Sequence, residues 1–384
     1  MWGGDPDETQ ISEAHADCTV LSGQEEEEGE KCDNTEDDDE EELDLRQVES
    51  SDCPAVLVSD SVVDRLQQIW TQKNLTSVIE FFLVGFQSNQ CSVVLLICLL
   101  LVVYSGTICG NLLIITLVST SKNLHTPMYF FLSQLSISDI VLTTDIVPNT
   151  LHVLMNNGAT ITFIYCFTQF YIFGAIEASE CFLLTVMSYD RYVAICNPLH
   201  YTSIMTSAHC VRLSISTWLL SFGCALILTL TISMLTFCGP NIIDHFFCDT
   251  VPLLELACSS TYTMELEIYI LSFPTLVIPT TIIIISYINI IVTILRCQSR
   301  ISRQKAFSTC SSHLTVVSIF YCTLLSVYVF SMGGQTLTIS KLLSLMYTVV
   351  TPFINPIIYS LRNKEIKNSI QKLVNKCMTC IEFI

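Results

Sequence analysis

Residues 275–295 read "TLVIPTTIIIISYINIIVTIL" and contain no charged side chain. A helix that crosses the hydrocarbon layer of a membrane, roughly 30 Å thick, needs about 20 mostly apolar residues, because each peptide group must find its hydrogen-bond partner within the segment. This stretch is apolar on all sides, whereas a helix on the surface of a soluble protein is apolar on one face only. The sequence therefore predicts a membrane span here.

Other parts of the chain have the same character, for example "VVLLICLLLVVY" at residues 93–104. Seven stretches are long and apolar enough to span a membrane. They run approximately over residues 93–120, 127–151, 163–195, 213–234, 266–295, 306–332 and 338–361. The predicted fold class is an all-α membrane protein, a seven-transmembrane helix bundle.

Charge is distributed unevenly along the 384 residues, which carry a net charge of -19 although 51% of them are apolar. Residues 1–91 hold 24 acidic and 4 basic side chains, and residues 92–384 hold 12 acidic and 13 basic ones. A uniform soluble domain is excluded by this division. The nearly neutral remainder is large enough for one or two soluble domains, but the length of its apolar runs argues against them.

The basic residues predict the orientation, because Lys and Arg are retained on the cytoplasmic side of a membrane. With seven alternating spans, 12 of the 13 bases after residue 92 fall on one face, and Lys341 alone falls opposite. We therefore expect a plasma-membrane protein with an extracellular amino terminus and a cytoplasmic carboxyl terminus. No basic, cleavable signal peptide precedes the first span, so that span is expected to serve as an uncleaved anchor.

Glycosylation and disulfide formation both require the secretory lumen. The sequon Asn74-Leu75-Thr76 lies on the predicted outer side, so Asn74 is the expected glycosylation site. Four cysteines also fall on that side, and four cysteines allow three pairings. They are Cys166 at the start of the third span and Cys238, Cys248 and Cys258 in the loop after the fourth.

The amino-terminal region is strongly acidic, with 14 carboxylates and one Lys between residues 25 and 44. Such a segment repels itself and has little to bury, which predicts disorder. Binding of calcium or a cationic partner, a solvated tail and a segment without a role are all open readings. The predicted regions are the acidic extension 1–70, the extracellular segment 71–92, the seven-transmembrane domain 93–361 and the cytoplasmic amphipathic helix and tail 362–384.

Several charged side chains fall inside the predicted spans, where they are costly and default to functional candidates. Asp139 and Glu180 are expected at similar depth on neighbouring helices, where they could hold a monovalent cation or share a proton. Simple protonation with hydrogen bonding to the core is the alternative. Arg191 can extend to the cytoplasmic surface as a structural anchor, or it can have a functional role with Asp190. Prolines in the fifth and seventh spans predict kinks. They are Pro274, Pro279, Pro352 and Pro356.

Four long motifs occur in order along the chain. They are "LHTPMYFFLSQLSISD" (124–139), "MSYDRYVAICNPLHY" (187–201), "KAFSTCSSHLTVVSIFY" (305–321) and "PFINPIIYSLRNKE" (352–365). Together they resemble the signature segments of vertebrate olfactory receptors, which are rhodopsin-like G-protein-coupled receptors. The resemblance covers about residues 74–376, and the acidic extension is foreign to that family.

The resemblance implies roles for individual residues. It implies the disulfides Cys166–Cys248 and Cys238–Cys258, and it makes Arg191 the arginine that rearranges when a G protein docks. The supporting switch residues are Asp190, Tyr192, Tyr287 and Tyr359. The polar mid-membrane cluster it implies consists of Asn111, Asp139, Glu180 and Asn355.

A small, mostly apolar odorant gains affinity from burial in a pocket and from one or two oriented hydrogen bonds. The outer halves of the third, fifth, sixth and seventh helices are expected to supply that pocket, although such residues are also ordinary core filling. Tyr321 is implied to report occupancy from below it. The remaining candidates are Phe170, Phe173, Gly174, Leu271, Ser272, Thr275, Leu324, Tyr328 and Leu345.

Glu177 raises a separate hypothesis, because a carboxylate in a dry cavity must be paired, protonated or functional. It is expected one turn above Glu180, near the floor of the pocket. An odorant that carries an amine or another hydrogen-bond donor would suit it. Protonation or a hydrogen bond to a nearby Ser or Thr is the alternative.

The expected partners are a small-molecule odorant, a heterotrimeric G protein of the stimulatory, olfactory type, and membrane lipid. The odorant is expected to shift the bundle toward a state that binds the G protein and raises cyclic AMP. No nucleic acid, cofactor or metal is expected, and the scattered histidines disfavour an enzyme. A channel or transporter is the main rival, but the sequence lacks the repeats and paired broken segments of transporters.

Overall fold

The computed structural model describes residues 78–259, 261–296, 300–332 and 337–382. The acidic extension 1–70 and the sequon at Asn74 lie outside these described residues. The side chain of Tyr328 also lies outside them, although its backbone belongs to a helix. The description below concerns one compact unit that contains all the described residues.

The described chain is mainly helical. Seven long helices and one carboxyl-terminal helix follow one another, and two of them contain a π-helical turn. Helix α1 is Gln90–Thr120, α2 is Pro127–Met155, α3 is Phe163–Cys196, α4 is Ser207–Ser233, α5 is Tyr262–Arg296, α6 is Arg300–Met332, α7 comprises Leu337–Leu345, Met346–Val350 and Thr351–Arg362, and α8 is Lys364–Glu382.

Six of these helices are long and apolar enough to cross a membrane by length and composition, among the residues described. The other long helix is α6, in which the apolar stretch among the described residues is Cys310–Ser326. Helix α1 turns large apolar side chains outward, and Leu95 and Val102 are 71% and 68% exposed. A continuous apolar outer surface of this kind is stable in lipid and not in water.

The π-helical turns lie beside the prolines of α5 and α7. In α5 the turn Phe273–Val277 includes Pro274 and is followed by Pro279. In α7 the turn Met346–Val350 ends just before Pro352, and the hydroxyl of Thr351 donates to the carbonyl of Met346 at 3.1 Å. Proline removes a helix hydrogen bond, and a wider turn with a side-chain bond accommodates that loss.

A small three-stranded sheet closes one end of the bundle, which we call the sheet end; the opposite end, next to α8, is the α8 end. Strand β1 (Glu80–Leu83) lies between β2 (Ala159–Thr162) and β3 (Ile242–Ile243). It pairs antiparallel with β2, with Glu80 opposite Thr162, and parallel with β3, with Phe82 opposite Ile242. The sequence did not predict this sheet, because strands of two to four residues give no periodic pattern that separates them from loops.

Helix α3 lies at the centre of the bundle. It contacts α2, α4 and α5, and it also contacts α6. Its buried residues enter three hydrophobic clusters: Cys166 at the sheet end, Phe173 in the middle cluster and Met187 toward the α8 end. One helix therefore connects the two ends of the molecule.

The close approach of α1 to α7 depends on glycine and gives a test of the packing. A Cβ atom on Gly110 would lie 3.0 and 3.1 Å from ring carbons of Pro356, which cannot rotate away. We expect Gly110→Val to destabilise the bundle by about 1 to 3 kcal/mol, the usual cost of overpacking. The measurement is thermal unfolding of the purified protein in detergent.

The matched control is Gly223→Val on α4, where an added Cβ would meet no atom within 4 Å. Both variants place a β-branched residue in a helix, so the intrinsic helix-propensity change is shared. Equal melting temperatures for the two variants would show that the contact between α1 and α7 is looser than the structure has it.

Candidate ligand pocket and coupling site

Two disulfides hold the long loop at the sheet end, residues 238–258, which we call the disulfide loop. The structure joins Cys166 to Cys248 and Cys238 to Cys258, the pairing that the resemblance implies. The backbone N–H of Cys248 also donates to the side chain of Gln169 on α3 at 3.2 Å. The loop is therefore fixed over the first turns of α3.

Aromatic residues of the disulfide loop cover the bundle at its sheet end. His245, Phe246 and Phe247 are buried. The ring of Phe247 meets that of Phe173 on α3 edge to face, with centroids 5.1 Å apart. The ring of Phe173 also lies 5.9 Å from that of Tyr347 on α7. This aromatic layer covers the space between α3 and α7.

The structure distributes the predicted pocket residues over several clusters. Phe173 and Leu345 share the middle cluster, and Phe170 belongs to the cluster around Cys166. Tyr321 and Leu324 on α6 pack with the cluster that extends toward the α8 end. The α5 candidates Leu271, Ser272 and Thr275 are partly buried. The hydroxyl of Thr275 donates a hydrogen bond to the carbonyl of Leu271. Gly174 faces Ala225 of α4, a helix outside the predicted pocket.

Glu177 lies deep in the bundle on α3, and its Oε1 has no hydrogen-bond partner among the described residues. Two further carboxyl groups are its electrostatic neighbours, those of Glu180 and Asp249. Asp249 directly follows Cys248 in the disulfide loop. Burial raises the pKa of Asp249 to about 6, although its carboxylate accepts a hydrogen bond from the N–H of Thr250 at 2.7 Å.

Lys341 at the start of α7 makes an ion pair that the sequence did not predict. Its Nζ lies 2.5 Å from a carboxylate oxygen of Asp244 and donates to the carbonyl of Gly85 at 2.8 Å. This contact joins α7, the disulfide loop and the segment after β1. The neighbouring His245 is deeply buried, and burial followed by the charge of Lys341 lowers its pKa to about 3, so it is neutral at physiological pH. The sequence gives one indication of an unusual role for Lys341: of the 13 basic residues after residue 92, it alone falls on the outer face of the predicted seven spans.

The predicted polar cluster lies at mid-bundle. The side-chain amide of Asn355 on α7 donates to both carboxylate oxygens of Asp139 on α2, at 3.0 and 3.3 Å. Asn111 on α1 donates to the carbonyl of Pro352 at 3.3 Å. Glu180 is an electrostatic neighbour of Asp139, and its Oε1 has no hydrogen-bond partner among described residues. The described part of the chain contains no group of three or more potential metal ligands.

At the α8 end, Arg191 is buried and forms an ion pair with the adjacent Asp190. The second oxygen of that carboxylate accepts a hydrogen bond from the hydroxyl of Tyr201 at 2.8 Å. Tyr192 is partly buried beside them. Arg191 is therefore turned back onto its own helix and is not free to meet a partner.

Of the other predicted switch residues, Tyr287 is an electrostatic neighbour of both Arg191 and Tyr359. The hydroxyl of Tyr287 on α5 is 2.5 Å from Nδ1 of His313 on α6, and both residues are buried. Tyr359 on α7 is fully buried, and its hydroxyl has no partner among described residues. Tyr201 and His313 were not singled out from the sequence, although each belongs to one of the four quoted motifs.

Helix α8 is attached to the bundle by a polar contact at its start. The hydroxyl of Tyr129 on α2 donates to the side-chain oxygen of Asn363 at 3.0 Å, and the same oxygen accepts the N–H of Glu365 at 3.0 Å. Asn363 thus caps the amino terminus of α8 and also joins α8 to α2. The side chain of Ile366 is buried at this junction.

The family model for olfactory receptors matches residues 97–377, which include most of α1 and all of the other long helices of the bundle. The chain belongs to the olfactory receptor family. Human olfactory receptor 10A7 is 44% identical over 304 residues, which cover 79% of this chain and 96% of the relative. Human olfactory receptor 5G3 is 46% identical over 308 residues, and mouse olfactory receptor 5G29 is 44% identical over 305; both matches cover 79% of this chain and 97% of the relative.

Membership of the olfactory receptor family confirms the resemblance and the seven-helix bundle. It makes the chain a multi-pass membrane protein that senses odorants through G-protein-coupled signalling, and a receptor rather than an enzyme. The matches to relatives cover 79% of the chain.

The ion pair at the sheet end gives a prediction of asymmetric stability. The side chain of Lys341 is 8% exposed and that of Asp244 is 41% exposed. Removing the charge of Asp244 leaves an ammonium group buried without a counter-ion, whereas removing Lys341 leaves a carboxylate that water can reach. We expect Asp244→Asn to lower the melting temperature in detergent by more degrees than Lys341→Met does.

The control is Glu255→Gln, an exposed carboxylate at the end of the short helix Thr250–Glu255 in the same loop. It should leave the melting temperature within one or two degrees of wild type. The double variant Lys341→Met/Asp244→Asn should recover part of the loss caused by Asp244→Asn. Equal losses for the two single variants would contradict the burial of Lys341.

Proposed function

We propose that this olfactory receptor binds a small, mostly apolar odorant inside the sheet end of the bundle. The odorant then favours a state that activates a stimulatory heterotrimeric G protein and raises cyclic AMP. The observation that carries the proposal is the buried ion pair of Arg191 with Asp190, whose carboxylate also accepts a hydrogen bond from Tyr201. This pair lies at the α8 end of the helix that carries Phe173 and Glu177 nearer the sheet end.

The proposed odorant pocket lies beneath the disulfide loop. Phe173 and Leu345 supply apolar surface in one cluster, and Glu177 supplies a polar group below them. Tyr321 lies deeper, beside Cys181, so a ligand that displaces its ring would change the contact between α6 and α3. Gly174 faces α4, and the side chain of Tyr328 lies outside the described residues. The other proposed pocket residues are Phe170, Leu271, Ser272, Thr275 and Leu324.

The proposed switch couples this pocket to the α8 end. Opening that end requires the buried pair Arg191–Asp190 to separate and the contact between Tyr287 and His313 to lengthen. Tyr192 and Tyr359 are the neighbouring groups that can take up new partners. A ligand produces this change only to the extent that it binds the open state more tightly than the closed one.

We further propose that the sheet end is extracellular and the α8 end cytoplasmic. The distribution of basic residues supports this orientation, since 12 of the 13 after residue 92 lie on the α8 side. Two disulfides at the sheet end support it too, because disulfides form in the secretory lumen. Asn74 is then the proposed glycosylation site. The proposed regions are the acidic extension 1–70, the extracellular segment 71–92, the receptor domain 93–361 and the cytoplasmic helix and tail 362–384.

Membrane lipid is the proposed partner of α8. The helix buries Ile366 and Ser369 against the bundle and exposes Lys367 and Lys372. Basic residues beside an apolar face are typical of a helix that lies on the inner leaflet, where lipid headgroups are anionic. No metal or cofactor takes part in the proposed mechanism.

The first functional prediction concerns Arg191. We expect Arg191→Ala to abolish odorant-dependent cyclic AMP formation, because it removes the cation that must be released toward the G protein. The amount of this variant at the cell surface should remain within twofold of the wild-type amount. The readout is cyclic AMP in transfected cells, with surface level measured by an antibody to an amino-terminal tag.

Arg212→Ala is the matched control, since Arg212 is exposed on α4 and bonds only to the carbonyl of Ala208 on its own helix among the described contacts. Its response should equal that of wild type. A full response from Arg191→Ala at normal surface level would exclude the proposed switch. An odorant-dependent current without cyclic AMP would instead indicate a channel.

A second prediction concerns the contact between α5 and α6. Replacing His313 by Phe removes the hydrogen bond to Tyr287, which is worth about 1 kcal/mol, and this corresponds to roughly a fivefold shift of a two-state equilibrium. We expect His313→Phe to raise basal cyclic AMP a few-fold. The control is Ser318→Ala on the exposed face of α6, whose hydroxyl bonds within its own helix. Unchanged basal signalling in His313→Phe would show that this bond does not restrain the receptor.

A further inference from the structure

The interior beneath the disulfide loop contains carboxyl groups from both α3 and the loop. Glu177 and Asp249 are both deeply buried and are electrostatic neighbours. Glu180 lies one turn below Glu177 and interacts with it. Glu177 therefore has one carboxyl neighbour in the disulfide loop and another one turn further along α3.

The described residues provide no counter-ion for these carboxyl groups. Lys341 is bound to Asp244 and to the carbonyl of Gly85. His245 is neutral at physiological pH. Arg191 lies 14 residues further along α3 than Glu177, which is about 21 Å at the helical rise of 1.5 Å per residue.

Both Glu177 and Asp249 retain a partly accessible surface although protein surrounds them. The Oε1 of Glu177 has no hydrogen-bond partner among the described residues. A buried oxygen without a partner is costly, and it indicates that a group absent from the protein completes the site.

We propose that the odorant of this receptor is a protonated amine with a short apolar body, and that its ammonium group binds between Glu177 and Asp249. This inference rests on the proposed function, because it names the chemical class of the odorant for the same pocket. An ammonium group has three hydrogen-bond donors and one positive charge, which match two carboxyl groups that lack a counter-ion. The apolar body then packs against Phe173 and Leu345 in the middle cluster.

A neutral odorant does not complete this site as well. An alcohol can donate one hydrogen bond to Glu177, but it leaves the charge of two neighbouring carboxyl groups uncompensated. A metal ion is disfavoured, because the described residues contain no group of three or more metal ligands. The remaining competitor is a proton on Glu177, and the experiment distinguishes it from an amine.

The test compares hexylamine with hexanol, two probes of equal chain length. Binding is measured by thermal stabilisation of the purified full-length receptor in detergent, and signalling by cyclic AMP in cells. We expect hexylamine to bind at least ten times more tightly than hexanol. Glu177→Gln and Asp249→Asn should each weaken hexylamine at least tenfold and change the affinity for hexanol by less than twofold.

The matched control is Glu265→Gln, an exposed carboxylate near the start of α5 that should leave both affinities unchanged. Surface level and melting temperature without ligand show whether each variant folds. If hexylamine fails to stabilise the wild-type receptor, or stabilises Glu177→Gln equally, the amine site is excluded. The proton is then the group that completes Glu177.

The two proposals fail in different ways. Stabilisation by hexylamine that requires Glu177, without any rise in cyclic AMP, supports the amine site and contradicts the proposed coupling. A cyclic AMP response to odorants without an amine, together with no stabilisation by hexylamine, supports the receptor function and overturns the amine site.

Discussion

Lipid cannot solvate a charge, and this constraint governs the whole molecule. Each charged side chain inside the bundle must find a partner within the protein or be neutral. Asp190 holds Arg191 at one end, Asp244 holds Lys341 at the other, and the amide of Asn355 contacts Asp139 between them. The same rule gives meaning to an exception. Glu177 has an oxygen without a hydrogen-bond partner among the described residues, and an unpaired group at that depth is where a ligand has most to contribute.

Helix α3 makes a link between the two ends physically reasonable. It carries Cys166 under the disulfide loop, Glu177 at the proposed pocket and Arg191 at the α8 end, and it touches the helices on either side. Coupling between distant sites needs an element with two arrangements that both sites bias. In the proposed switch, the pair Arg191–Asp190 and the contact between Tyr287 and His313 are such elements, because each is buried and each would open for a partner to enter.

The sequence predicted the helices well, because a span that is apolar on all sides is recognisable from its own residues. The sequence predicts the first span at residues 93–120, and the corresponding helix is Gln90–Thr120. The sheet was missed, since β1 finds its partners about 80 and 160 residues further along the chain and its four residues carry no local pattern. In the site, Asp190 and Arg191 are adjacent in sequence and were easy to pair. The bonds of Tyr201 and His313 depend on how helices and loops meet in space, and Gly174 faces α4 because helical spacing alone does not fix which neighbour a small residue meets.

The disulfide loop fixes which carboxyl groups lie beside the proposed pocket. Asp244 and Asp249 lie on either side of Cys248, which is bonded to α3. That anchor turns Asp244 toward Lys341 on α7 and leaves Asp249 over Glu177. Had Lys341 paired with Asp249, the carboxyl groups in the interior would have been partly compensated and a neutral odorant would have suited the space. Because Asp244 binds Lys341, that lysine does not serve Glu177 and Asp249 as a counter-ion, and in the proposed amine site a cationic ligand takes that place.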